Sequence, residues 1–485
     1  MGAGGMGAGG MGSISAARLA ELLSLDRDRC GSAEIAARLR RLVSDGRLGL
    51  ALGLPAERVL AARLGVSRGM VTAAYMQLRR EGWADARQGA GTWTTLPDGD
   101  VRTAPYGGAW APDAGRDDVL DLAHAAPSAP LQLAPAFAAA LDALPRHLPG
   151  HGYHPAGLPE LRARIAERYS TRGLRTVPEQ VLVTSGALHG ITIVVEGLAR
   201  RGDRVLVEHP TYPHALAAIR ARGARLVEAS VAPADAFTDA AAEIVRSAQP
   251  ALAYLMPDVH NPTGRVLDPR AGEQLAAALS AARTAVIVDE TLTDLQLDYL
   301  PAASPDTWVD AVHVGSLSKS VWGGLRIGWL RGRTELIRTL TVAAARASLS
   351  GPVVEQLAAC HLLDVLDEVL TARRIELRER RDLLRATLAS HLPDWDVPLP
   401  PAGLSLWCRL PDRRSSTLAL AAEQRGLRLA PGPLFGTGSA FEDRLRIPFT
   451  LPSERLQRAV EILAEVDSSP HPTNRARLRS TETVV

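Results

Sequence analysis

From about Val119 onward, short apolar runs alternate with amphipathic stretches of helical period for more than 300 residues, and no other feature limits the fold as strongly. The runs are VLVTSG, RVLVEHP, ALAYLMPDVHNPTG, AVIVDE and AVHVGSLSKS. They are apolar at successive positions, as a strand covered on both faces must be. The helical stretches between them supply the crossovers that parallel strands require. The pattern predicts an α/β domain around a largely parallel sheet, with ligand sites beyond the carboxyl ends of its strands.

A chain of 485 residues exceeds what one hydrophobic core usually organises, and its segments differ in character. Residues 1–30 open with MGAGGMGAGGMGS and read as a flexible Gly-rich leader, lacking the basic and apolar regions of a signal peptide. Residues 31–95 are locally basic, with ten arginines facing five acids between positions 34 and 94. Residues 96–118, rich in Pro, Gly and Asp, read as a linker, residues 119–466 as the α/β domain, and residues 467–485 as a disordered tail. A net charge of +2 means that the whole chain is no polycation, so any nucleic-acid surface must be local. No apolar run reaches the roughly 18–20 residues needed to cross a bilayer. Cys30, Cys360 and Cys408 lie far apart in no metal-like spacing, which suits reduced thiols in a cytoplasm.

The basic segment carries three helical patterns, AEIAARLRRLVSDG, PAERVLAARLG and SRGMVTAAYMQLRREG. Pro55 suits the start of the second, Ser67 can cap the third, and Gly65 turns the chain between them, the layout of a helix-turn-helix. WADARQGAGTWTT then alternates and turns at Gly89 and Gly91, predicting a two-stranded wing. In this arrangement Ser67, Arg68 and Thr72 of the third helix face a major groove, while Arg58 and Arg87 suit phosphates. Charge alone would equally describe a small helical domain with a solvated basic face. The combined pattern LPAERVLAARLGVSRGMVTAAYMQLRREGW…GAGT resembles the winged helix of GntR-type transcription regulators, with Ala56 standing where that family usually has Ser.

Lys319, in SLSKS, is the only lysine beside 54 arginines. GC-rich coding replaces Lys by Arg wherever charge alone matters, so the survivor needs a chemical reason. A primary amine condenses with an aldehyde, whereas a guanidinium stays protonated and delocalised. An amine just past a strand would suit pyridoxal 5′-phosphate (PLP), and that cofactor's other requirements have candidates. Asp289 ends AVIVDE and can keep a pyridine nitrogen protonated; Asn261 in HNPTG can donate to a ring oxygen; Tyr212 in EHPTYP can stack on the ring. Gly186, Ala187 and Leu188 open a helix and can offer backbone amides to a phosphate, joined by Ser316 and Arg326. Each has a structural competitor: a loop-capping aspartate, a plain NPTG turn, a core tyrosine, a surface arginine.

Taken in order, YHPAGLPELR, TSGALHG, HPTYP, HNPTG, VDE, SLSKSVWGGLRIGW and RLRIPF resemble a fold-type I aminotransferase from residue 119 to about 465. The resemblance implies Lys319 as the Schiff-base lysine, Asp289 on the pyridine nitrogen, Asn261 at the phenolic oxygen, Tyr212 on the ring and Arg326 on the phosphate. It further implies that Tyr153 reaches the neighbouring subunit's phosphate, hence a dimer, and that Arg446, rather than Arg444, grips an amino acid's α-carboxylate. The family commonly carries a tyrosine two or three residues past the aspartate, where this chain has Thr291 and Leu292. A winged helix joined to such a domain resembles the MocR subfamily of bacterial regulators. That resemblance implies a PLP- or amino-acid-responsive head-to-tail homodimer binding a double-stranded DNA operator, and the linker length permits a domain-swapped form of it. A working aminotransferase with an accessory DNA-binding domain, and a DNA-binding protein with an inert scaffold, are the other readings of the same residues.

Overall fold

The five apolar runs form strands of one sheet in the computed structural model, which describes residues 13–23, 31–44, 47–48, 52–87, 91–95, 119–232, 237–298, 307–438 and 440–468. Gly89, the Arg87 side chain, the predicted linker, most of the leader and nearly all of the tail lie outside the described residues. The chain divides into two units. One comprises residues up to Ala123 with Ser416–Glu442 and the residues from Ile462; the other comprises His124–Ser415 and Asp443–Glu461.

In the first unit four helices, α1 (Ala16–Leu23), α2 (Ser32–Ser44), α3 (Glu57–Leu64) and α4 (Arg68–Arg80), bury one shared core. Ile35 and Leu39 of α2, Leu60 of α3, and Val71 and Tyr75 of α4 recur at helical spacing and meet inside it. Gly65 takes the left-handed conformation after α3, and the Ser67 hydroxyl accepts from Met70 N at 3.3 Å as α4 begins. Strands β1 (Ala84–Arg87) and β2 (Gly91–Thr94) pair antiparallel, Arg87 opposite Gly91, as the wing. Helix α1 corrects the reading of residues 1–30 as leader, for Leu19 and Leu23 are fully buried. The glycines that open the chain hid an amphipathic ARLAELL behind them. At the start of the segment read as the α/β domain, β3 (Leu120–Leu122) pairs in parallel with the strand Leu427–Pro431 inside this first unit.

The second unit is built on a seven-stranded sheet. Its strands are β4 (Val181–Thr184), β5 (Arg204–His209), β6 (Arg225–Ser230), β7 (Leu252–Leu255), β8 (Ala285–Asp289), β9 (Val312–Ser316) and β10 (Gly328–Arg331), in the order β4-β10-β9-β8-β7-β5-β6. Only β10 runs antiparallel, against both β4 and β9. Alternate residues serve opposite faces: Val205, Val207, Tyr254 and Ile287 pack on one side, Leu206, Leu255 and Val288 on the other. Helices α5 (Leu133–Ala143), α6 (Pro159–Thr171), α7 (Ala187–Leu198), α8 (Pro213–Ala221), α9 (Phe237–Ala248), α10 (Pro269–Ala281), α11 (Thr334–Ser348), α12 (Val353–Asp364) and α13 (Leu366–His391) follow in chain order. The first face is covered by α7, α8 and α11, the second by α9 and α10.

Beside the sheet's carboxyl edge, Gly315 of β9 pairs with Trp329 of β10, and a Cβ at residue 315 would sit inside the indole. Gly315→Ala is therefore expected to cost about 1–3 kcal/mol by overpacking, read as a lower denaturant midpoint.

Candidate functional site

Five parallel strands end on one edge, and the residues singled out from the sequence follow those ends. Thr184 closes β4 before Gly186; His209 closes β5 before Tyr212; β7 runs into the loop of Asn261; Asp289 ends β8; Ser316 ends β9 before Lys319. The register sets Asp289 opposite Val314 and sets Gly328 opposite both Ser316 and Thr184.

Lys319 is half-buried, and its Nζ donates to the Ala125 carbonyl at 2.7 Å. Burial first, then the Arg446 and Arg326 charges, lower its pKa to about 8, against the opposing pull of Asp289. Roughly a tenth of the amine is then unprotonated at pH 7, compared with well under a thousandth for an ordinary lysine. Asp289 is buried, and its Oδ2 accepts from Tyr254 Oη at 2.6 Å while Oδ1 accepts from Thr291 N at 2.9 Å. Burial nevertheless raises its pKa, so this carboxylate is short of positive charge. A protonated ring nitrogen would supply that charge.

The proposed phosphate end is reshaped in three respects. Gly186 adopts φ +85°, but its amide donates to Thr184 O at 2.9 Å, leaving Ala187 and Leu188 as the first-turn amides of α7. Ser316 is engaged as well: its hydroxyl donates to Ile327 O at 3.0 Å and lies 3.0 Å from Ser318 Oγ. In this arrangement the hydroxyl ties the end of β9 to the chain entering β10. Arg326 is exposed, sits at φ +54° and donates through Nη2 to Ser185 O at 2.6 Å. Its guanidinium lies against Gly186, where an added Cβ would come within 3.1 Å, and a Cβ at Gly328 would come within 2.6 Å of the Gly186 carbonyl carbon. The two glycines let β10, Arg326 and the α7 start close on one another.

Arg446 stands on the strand Arg444–Pro448, opposite Trp407 of the strand Ser405–Arg409, and is 3% exposed. Arg444, two positions earlier on the same face of the strand, is half-buried and lies 3.9 Å from Asp443, whereas Arg446 is buried. The Tyr212 ring packs partly on the sheet core, and its pKa is raised by burial and by Asp289 while Arg446 and Arg326 oppose this. Tyr212 thus stands among the same groups that act on Lys319. His124 and His214, which the sequence reading did not single out, belong to this neighbourhood too: His214 feels His124, Lys319 and Arg446. Tyr254 was likewise missed, because a tyrosine inside an apolar run looks like core.

Asn261 is held indirectly. Glu208 of β5 accepts from Arg265 Nη2 and from Met256 N, both at 2.7 Å, and His260 Nδ1 lies 2.7 Å from Thr263 Oγ1. These bonds brace both sides of the Asn261 loop. Tyr153 is 56% exposed, its ring 5.5 Å from that of His151. Among the described residues, no group of acids, histidines and cysteines could hold a metal ion, and no helix is long and apolar enough to cross a membrane.

The residues fit PLP on this structure's own terms. Thr211 and Ser320, next in sequence to Tyr212 and Lys319, each bury a hydroxyl that makes no hydrogen bond among the described residues. Unmet buried hydroxyls next in sequence to Tyr212 and Lys319, with a depressed amine, a carboxylate short of positive charge, the buried Arg446 and Arg326 at the α7 start, suit a polar anionic ligand.

On the winged helix, Arg58, Ser67 and Arg68 are exposed, and Gly91 holds φ +84° in open space. Thr72 departs from the expectation: half-buried, it donates to Glu57 Oε2 at 2.7 Å and ties α4 to α3. Arg68 lies 3.7 Å from the same carboxylate.

Residues 118–463 match the family described as Aminotransferase class I and II, and residues 32–93 match Bacterial regulatory proteins, gntR family. YdfD of Bacillus subtilis, described as an uncharacterised HTH-type transcriptional regulator, is 24% identical over 82% of this chain and 88% of its own. The arginine–pyruvate transaminase AruH of Pseudomonas aeruginosa is 32% identical over 68% of this chain and 86% of its own. The structure of the α-aminoadipate aminotransferase LysN from Thermus thermophilus superposes with a TM-score of 0.66 at 24% identity, covering 72% of this chain and 92% of its own.

Proposed function

Because this chain belongs to the aminotransferase class I and II family and carries a GntR-type domain ahead of it, we propose that it is a PLP-dependent transcription regulator of MocR type. The observation that carries this reading is the coexistence of two kinds of site in one chain. One is a winged helix exposing Ser67, Arg68 and Arg58; the other is a cleft in which Lys319, Asp289, Tyr212 and Arg446 act on one another. YdfD, a regulator by name, matches across most of both its length and this chain's.

PLP, the cofactor of this family, supplies an electron-withdrawing ring and an electrophilic carbon when bound. Toward it Lys319 would present a largely dehydrated amine, Asp289 would hold the ring-nitrogen proton and Tyr212 would cover the ring. Asn261 would donate to the phenolic oxygen, with Arg326, Ala187 and Leu188 at the phosphate and Tyr153 of a second subunit completing it. Arg446 would take an amino acid's α-carboxylate in a bidentate grip. An effector can redirect the DNA-binding state only through its different affinity for two arrangements of the protein. Release of the Lys319 amine together with engagement of Arg446 supplies such a difference. The acting form in this reading is a cytoplasmic, head-to-tail, domain-swapped homodimer on a double-stranded operator. A PLP enzyme with an accessory DNA-binding domain is the second reading, favoured by the intact lysine–aspartate–arginine set; Thr291 and Leu292, in place of a phenol, favour regulation.

The deciding measurement is electrophoretic retardation of DNA fragments selected by the full-length protein. The half-saturation point is expected to move severalfold on adding PLP, or an amino acid to the PLP-loaded protein, and to stay fixed in Lys319→Ala. Retardation indifferent to both additions would refute the regulator reading, and steady conversion of an amino acid and a keto acid would favour the enzyme.

A further inference from the structure

We propose that the hydrogen bond from Lys319 Nζ to the Ala125 carbonyl is a latch on the chain where it passes from the first unit into the second, and that condensation of the amine with PLP opens it. The proposal deepens the regulatory reading above, naming how cofactor loading is passed on, and it rests on that reading.

The latch stands at a boundary. The chain leaves the first unit at Ala123 and enters the second at His124. On the near side, Leu120–Leu122 pair in parallel with Leu427–Leu429, and the Ala123 amide donates to Asp121 Oδ1 at 2.8 Å. On the far side, the buried Arg373 of α13 donates through Nη2 to Ser128 O at 2.6 Å and to Val321 O at 3.3 Å. Ala125 lies between these anchors. Lys319 Nζ, at 2.7 Å, is the one donor to its carbonyl among the described residues.

Condensation removes that donor. The amine adds in its neutral form to the aldehyde carbon, a C=N bond replaces C=O, and the oxygen leaves as water with both amine hydrogens. Nζ then holds no hydrogen for Ala125, and a proton taken up on it again is shared with the cofactor's own ring oxygen. The half-buried Ala125 carbonyl loses its partner, so the closed arrangement is less stable once PLP is attached. A free amine favours that arrangement and a condensed one does not, which is the differential interaction a two-state equilibrium needs. The strength of a hydrogen bond from a charged donor bounds the shift at roughly 10- to 100-fold. Because His124 follows Ala123 directly, release at Ala125 loosens the chain next to β3, which belongs to the unit containing the winged helix.

The test compares two uncondensable side chains of similar reach in the full-length protein without PLP. Lys319→Met removes the donor, whereas Lys319→Arg keeps donors but forms no imine. In retardation of the selected DNA, Lys319→Met is expected to reach half-saturation within about twofold of the PLP-loaded wild type, and Lys319→Arg within about twofold of the unloaded wild type. A nitroxide on Ala126→Cys, an exposed position beside the latch, reports on the segment itself in a chain carrying Cys30→Ser, since Cys360 and Cys408 are buried. Its spectrum is expected to sharpen on adding PLP and in Lys319→Met, and to stay broad in Lys319→Arg. If PLP moves the wild type while Lys319→Met remains at the unloaded value, the latch is overturned and the regulator reading stands. Wild-type retardation unmoved by PLP would overturn both. Where the Lys319 variants fold poorly, the wild-type nitroxide with and without PLP decides, and an unchanged spectrum overturns the latch.

Discussion

Lys319→Ala removes the visible absorption band that the wild-type protein develops with PLP, and no change at any other position is expected to have so complete an effect. Arginine cannot replace the amine, so Lys319→Arg should be equally colourless although it keeps the charge. The wild type carries a further signature in its pH profile. The amine titrates at about 8, so capture of PLP should accelerate roughly tenfold per pH unit below that value and level off above it. An ordinary lysine would level off only near 10.5. Stopped-flow absorbance across pH 6 to 11 measures this; a plateau near 10.5, or a persistent band in Lys319→Ala, would remove Lys319 from the role.

Arg446→Met separates effector binding from cofactor binding. It keeps an unbranched side chain on the buried strand but removes the planar fork that matches a carboxylate. Loss of one partner of a buried, hydrogen-bonded charge pair costs about 2–5 kcal/mol, so amino-acid affinity should fall between about 30- and several thousand-fold. The visible band with PLP should survive. Its pH profile should shift upward, because Arg446 is the largest charge acting to lower the Lys319 amine. Undiminished amino-acid binding to Arg446→Met would pass the carboxylate role to another group, Arg444 being the nearest in sequence.

Much of this arrangement was readable along the chain because it depends on neighbours in sequence. Five strands announced themselves as continuous apolar runs, whereas β10 (Gly328–Arg331) opens on a glycine, ends on an arginine and follows a glycine-rich turn, so it shows no such run. Helix α1 was hidden by the composition of the residues before it. The reactive groups were identified by what each can do chemically: an amine where guanidinium had replaced every other, an aspartate at a strand end, an arginine within RLRIPF.

Availability was another matter. Thr72, Ser316 and the Gly186 amide are sound candidates by type, yet Glu57, Ile327 and Thr184 engage them. Ala125 carries no motif, and its carbonyl gains meaning only from standing against Lys319.

The sequence by itself determined the α/β architecture, the winged helix and the chemical identity of the reactive groups, since periodicity and side-chain chemistry are local properties. Only the tertiary structure decided how those groups are tuned. The lowered Lys319 amine, the cation-starved Asp289 and the choice of free hydroxyls and amides come from burial and from charges delivered by distant segments. Those quantities exist only once the chain has excluded water and brought the strand ends together.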